Sequence, residues 1–157
     1  MSNNLASLYQ ELILEHSRNP RNFGTLPVPP AQEGWGVNPS CGDKLVLYLE
    51  KDSDKIVNIK YDNEGCAIFK ASCSLMSQML MGKTTEEVKK ILNVYMDSLI
   101  LSNDVPDNES IELLGKLKIF ENVKNYPARV KCAALFARTM QSMLDNENTV
   151  VSSEDIS

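Results

Sequence analysis

The chain has 157 residues, 43% hydrophobic and 24% charged, with a net charge of −5, which suits one domain with a core of its own and argues against nucleic-acid binding, since phosphate neutralisation needs clustered positive charge. No apolar run approaches the roughly 20 residues that span a bilayer. Met1-Ser2-Asn3-Asn4 has no basic region leading into an apolar core, so a cytoplasmic protein without a membrane partner is expected, in which the four cysteines read as thiols, metal ligands or redox groups before disulfides.

The first predicted element is an amphipathic helix over Leu5 to Ser17, with Leu5, Leu8, Tyr9, Leu12 and Ile13 on one stripe. Asn19-Pro20 and Asn22-Phe23-Gly24 end it. The stretch holding Pro27, Pro29, Pro30, Gly34 and Gly36 is punctuated like a loop, and its Trp35 reads as an anchor onto the domain in preference to an exposed partner contact. After the turn Pro39-Ser40-Cys41-Gly42, the alternation of Leu45, Leu47 and Leu49 with Val46 and Tyr48 predicts a strand covered on nearly both faces. Asp52-Ser53-Asp54 turns the chain into a second strand, Ile56 to Tyr61, and the pair reads as a hairpin. Cys66-Ala67-Ile68-Phe69 is expected to add a short third strand.

A helix is predicted from Ala71 to Met81 with Gly82 past its end. Thr84 and Glu87 have capping-box spacing ahead of a helix whose apolar face is Val88, Ile91, Leu92, Tyr95 and Leu99. Val105-Pro106-Asp107 reads as a loop and Ser110 to Leu114 as a short helix stopped by Gly115. Pro127 fits the first position of a last helix with Val130, Ala133, Ala134, Ala137 and Leu144 on its buried stripe. The expected whole is an α+β domain over 1–145, a small, mainly antiparallel three-stranded sheet packed with helices, followed by a flexible tail over 146–157.

Three cysteines and one aspartate carry the chemistry. Cys41 and Asp43 flank Gly42 at the start of an extended segment, where positions two apart face the same side. Cys66 follows a glycine turn, and Cys132 falls in the first turns of the last helix, where the dipole favours a thiolate. Three thiolates and a carboxylate can close a tetrahedral zinc site, and the carboxylate is the ligand most easily exchanged. The spacing is not that of a paired Cys-x-x-Cys knuckle, and each cysteine alone also fits a small buried hydrophobe.

The motifs Leu12-Ile13-Leu14-Glu15-His16-Ser17-Arg18-Asn19-Pro20-Arg21-Asn22-Phe23-Gly24, Asn38-Pro39-Ser40-Cys41-Gly42-Asp43, Gly65-Cys66 with Ala71-Ser72, and Tyr126-Pro127-Ala128-Arg129-Val130-Lys131-Cys132 resemble the NifU/IscU-like family of iron–sulfur assembly proteins over about Leu5 to Leu144. Within it, the chain resembles the SufU-type zinc-dependent sulfurtransferases. The resemblance implies zinc held by Cys41, Asp43, Cys66 and Cys132. It implies a pyridoxal-phosphate cysteine desulfurase as partner, a desulfurase histidine that replaces the Asp43 ligand, and sulfur accepted as persulfide on Cys41 for delivery to a downstream iron–sulfur scaffold complex. The alternative is a scaffold that builds a cluster on the same cysteines. Lys131 stands where scaffold members carry a histidine, and Tyr126 to Lys131 departs from their Leu-Pro-Pro-Val-Lys stretch; both differences favour sulfur transfer. Cys73 stands where the family has another small residue.

Arg129, three residues before Cys132, is a candidate catalytic side chain that offsets the net charge of about −2 left by four anionic ligands on a dication, or else forms a surface ion pair. His16, the only histidine, reads as a capping or packing residue. Cys73 reads as a buried free thiol, and Met76, Met79 and Met81 as core. Glu86-Glu87 and Lys89-Lys90 read as a solvated helix face.

Overall fold

The leucine alternation at Leu45, Leu47 and Leu49 is the seed of the core: in the computed structural model, which describes residues 3–102 and 106–155, these three side chains are fully buried. They lie on β2 (Asp43–Asp52), which pairs antiparallel with β3 (Lys55–Glu64) through a turn in which Ser53 takes φ 57°. The opposite face of β2 is not sealed as expected: Lys44 is exposed, while Val46 and Tyr48 are half-buried. Val105 of the expected loop lies outside the described residues.

The sheet has four strands in the order β3-β2-β1-β4 and is mixed, where three mainly antiparallel strands were expected. One addition is β1 (Gln32–Asn38), antiparallel to β2, within the glycine-rich stretch read as loop. Gly34 and Gly36 are there because the last helix crosses close above: a Cβ at Gly34 would run into the Met143 side chain, and one at Gly36 into Thr139. Trp35, between them, points the other way and is half-exposed rather than anchored in the core, its Nε1–H donating to Glu33 at 3.0 Å. The other addition is β4 (Val151–Ser152), parallel to β1, so the segment expected to trail away after Asp145 returns to the sheet.

The third strand expected at Cys66–Phe69 is instead the start of a helix, because a short apolar run without alternation fits either structure. Its first turn belongs to α2 (Ala67–Leu80), whose N-cap is Cys66; α1 (Asn3–Arg18) packs against α2. On α1, Tyr9 and Ile13 reach the core, whereas Leu8 and Leu12 are exposed, so the apolar stripe is narrower in the fold than in the sequence. The capping box forms as expected, with Thr84 and Glu87 each accepting from the other's backbone N–H at the start of α3 (Thr85–Val94), which runs on as a π-helical turn, Tyr95–Ile100.

Asp107 caps α4 (Asn108–Leu114), Gly115 ends it with φ 51°, and a 3-10 segment, Gly115–Asn125, leads to α5 (Pro127–Leu144). The α5 helix lies across β1 and β2 and against α2. Phe136 meets Tyr61 edge-on at 6.3 Å between ring centres, and the buried Tyr95 hydroxyl donates to the Ala133 carbonyl at 2.7 Å. Among the described residues no helix is long and apolar enough to cross a membrane.

Candidate metal centre

Hairpin geometry brings the first two donors together. The amides of Cys41 and Gly42 both donate to the Asn38 carbonyl, at 3.2 and 2.9 Å, and Gly42 takes φ 73° in a spot open to any side chain but not to its backbone angle. This turn sets Asn38 opposite Asp43 across β1 and β2. The antiparallel register of β2 and β3 then sets Glu64 opposite Lys44, which delivers the following Gly65 and Cys66 to the same end of the sheet. From above, the second turn of α5 brings Cys132.

The ligand atoms of Cys41, Asp43 and Cys132 all lie within 4.8 Å of one another. A tetrahedral zinc with bonds to sulfur of about 2.3 Å places its ligands about 3.7 Å apart, so a contraction of about 1 Å suffices to close this trio on an ion. Cys66, the fourth expected ligand, lies outside that trio, although its backbone N–H donates to Asp43 Oδ1 at 3.1 Å and its sulfur feels the Cys132 thiol. Asp43 and Cys132 are buried, whereas Cys41 and Cys66 keep partial access to solvent. Two soft donors and one hard donor, with Cys41 on the open side, could hold a zinc ion and leave an approach there.

Both Asp43 oxygens are held by the protein. Opposite the Cys66 amide, the Asn38 side-chain amide donates to Oδ2 at 2.9 Å and also lies 3.5 Å from Cys132 Sγ. The close fit requires a glycine at 65, where φ is 155° and an added Cβ would run into Asp43 Oδ1.

The thiols differ in electrostatics. Cys66 is pulled down, first by the neighbouring Cys132 thiol, with the Phe69 and Ile68 amides at the α2 N-terminus adding and burial opposing. Cys132 is pushed up, first by the neighbouring Cys66 sulfur and then by burial and Asp43. The helix-terminus effect expected at Cys132 therefore operates at Cys66, which caps a helix the sequence disguises as a strand. A cation bound here would override this order by deprotonating the thiols it coordinates. The exposed Arg129 guanidinium faces the same sulfurs, and the negative charge at Cys66, with a hydrogen bond to Cys132, raises its pKa above the ordinary value.

Cys73 is fully buried on α2, and burial pushes its thiol up to about 12. His16 is buried with Nδ1 2.8 Å from Ser74 Oγ, on the α1–α2 contact and outside the donor cluster. Sequence reasoning gave no role to two residues that belong to the site. Asn38 opens the quoted Asn38-Pro39-Ser40-Cys41 motif, and its amide side chain was the available signal. Ser153, whose Oγ donates to Asn38 Oδ1 at 2.7 Å, gave none, since it lies in a polar tail.

Comparison with known proteins places this arrangement in context. The model of the NifU-like N terminal domain matches residues 8–133. The zinc-dependent sulfurtransferase SufU of Bacillus subtilis (strain 168) is 33% identical over 144 residues, covering 92% of this chain and 94% of that protein. The iron–sulfur cluster assembly scaffold protein IscU of Thermotoga maritima is 34% identical over 140 residues, covering 87% and 92%. Among solved structures, FiSufU from Fervidobacterium islandicum AW-1 superposes with a TM-score of 0.72 at 34% identity, over 85% of this chain and 94% of that one.

Proposed function

The chain belongs to the NifU-like N-terminal domain family, and from that premise we propose that it is a zinc-dependent sulfur acceptor of iron–sulfur cluster assembly, taking persulfide sulfur from a cysteine desulfurase onto Cys41 and passing it to a cluster-building scaffold. The observation that carries this reading is the convergence of Cys41, Asp43 and Cys132 within 4.8 Å, with Cys66 alongside. Bound zinc would supply a deprotonated, restrained thiolate at each cysteine it touches.

The chain's own residues supply the rest. Asp43 would be the ligand to be exchanged. Both of its oxygens keep hydrogen bonds from Cys66 and Asn38 when it lets go, so its departure leaves no unpaired buried charge. A donor from the desulfurase would take its place, and Cys41, the half-exposed thiol, would then have to leave the ion to act as nucleophile. The Cys41 thiolate attacks the outer sulfur of the partner's persulfide; one sulfur–sulfur bond forms on Cys41 as the other breaks, and the partner's cysteine leaves as thiolate. Cys66 and Cys132 stay as anchors. Arg129 faces the cluster of negative sulfurs and offsets the charge that gathers as the persulfide anion forms.

A scaffold role on the same donors is the second reading. The similarity to the Thermotoga maritima IscU favours it, since thiolates suit a cluster as well as zinc. Anaerobic purification separates the two: colourless protein with equimolar zinc supports the acceptor, and stable brown protein with visible absorbance supports the scaffold.

A further inference from the structure

The last strand of the sheet ends at the metal centre. Val151 and Ser152 pair in parallel with Gly36 and Val37 of β1, and the next residue, Ser153, is fully buried beside Asn38. The Ser153 hydroxyl donates to Asn38 Oδ1 at 2.7 Å. Asn38, also fully buried, turns its Nδ2 to Asp43 Oδ2 at 2.9 Å and to Cys132 Sγ at 3.5 Å. The Asp43 carboxylate, which only accepts, fixes the nitrogen end of this amide, and a donor on the oxygen side holds the other end. Ser153 is that donor.

We propose that Ser153 is a positioning residue for the metal centre: acting through Asn38, the C-terminal segment holds the Asp43 carboxylate in line and so sets how readily that ligand is exchanged. The inference rests on the assignment of Asp43 as an exchangeable zinc ligand. Hydrogen-bond partners one step removed from a metal orient its ligands and tune its hold. Without the Ser153 hydroxyl the buried Asn38 oxygen loses its partner, and the amide that supports Asp43 is held from one end only. The β4 segment is thus part of the site, although it lies 115 residues from Asn38 in the chain.

The test is the rate at which the zinc-loaded full chain gives up its metal to a chromophoric chelator. Ser153→Ala should speed release about three- to tenfold, the worth of one hydrogen bond. In an Asn38→Ala background the same change should have no effect. Equal acceleration in both backgrounds, the mark of general loosening of the fold, would overturn the proposal, as would no acceleration in either. If Asn38→Ala fails to fold, hydrogen exchange of the Asn38 side-chain amide decides: Ser153→Ala should quicken it, and unchanged exchange would overturn the proposal. Asp43→Ala separates the two levels. If it speeds release and Ser153→Ala does not, only the positioning role falls. If Asp43→Ala leaves release unchanged, the ligand assignment falls and takes this inference with it.

Discussion

Asp43 Oδ1 lies in the space that a side chain on Gly65 would need, so the carboxylate at the start of β2 and the glycine after β3 fit together only in this combination. The backbone at 65 also takes φ 155°, which side chains rarely tolerate. Gly65→Ala should therefore cost about 1–3 kcal/mol of stability from strain. It should also weaken zinc binding at least about tenfold, because the displaced carboxylate loses the Cys66 amide. Chelator competition and a thermal melt on one sample check both, and an unchanged zinc affinity in a folded variant would contradict this picture of the centre.

Removing the metal should leave the fold. The largest buried side chains, among them Tyr61, Phe69, Tyr95, Phe120 and Phe136, make a core that needs none of the four donors. Zinc present at a thousandfold over its dissociation constant adds about 4 kcal/mol. Chelated protein should accordingly keep its far-ultraviolet circular dichroism and a cooperative melt at lower temperature. A spectrum of unfolded chain after chelation would instead make the metal a purely structural element.

Cys73 should be chemically silent. Its thiol is fully buried and pushed up to about 12, so it is neither ionised nor reachable at neutral pH. Iodoacetamide on chelated, folded protein should modify Cys41 and Cys66 and spare Cys73 until denaturant is added. Labelling of Cys73 at the rate of Cys41 would revive a relay role for it.

Stability should fall on mild acidification because of His16. Burial lowers its pKa, with Arg21 and Lys116 adding and Glu15 opposing. The folded form thus favours the neutral ring. Its contribution is complete above the unfolded value of about 6.5 and is lost as pH falls through the lowered folded value. His16→Gln, which keeps a partner for Ser74 but cannot gain a proton there, should flatten the urea midpoint between pH 6.5 and 5. An equally steep decline in the variant would put the sensitivity elsewhere.

Much of this architecture was readable before any coordinates, for local reasons. The capping box at Thr84 and Glu87, Pro127 at the first turn of α5, and the hairpin about Ser53 depend on neighbours in sequence. What was hidden depends on tertiary contact. Gly34 and Gly36 look like loop residues until α5 lies on them. Cys66-Ala67-Ile68-Phe69 is too short to show a period, so the helix N-terminus that adds to the pull of Cys132 on the Cys66 thiol was invisible. Nothing in a polar tail announces that Ser153 reaches Asn38. The motifs pointed to Cys41, Asp43 and Cys132, which the fold brings within 4.8 Å of one another, but not to the hydrogen bonds on Asp43, which come from β1 and the α2 N-cap.

The central claim is that Cys41 receives sulfur when Asp43 yields its place. The zinc-loaded chain should be incubated with a cysteine desulfurase and cysteine, then digested without reductant and weighed by mass spectrometry. One added sulfur atom on the peptide containing Cys41, absent from Cys41→Ala, is the predicted result. Added sulfur on the Cys66, Cys73 or Cys132 peptide with Cys41 unmodified, or transfer undiminished in Cys41→Ala, would contradict it.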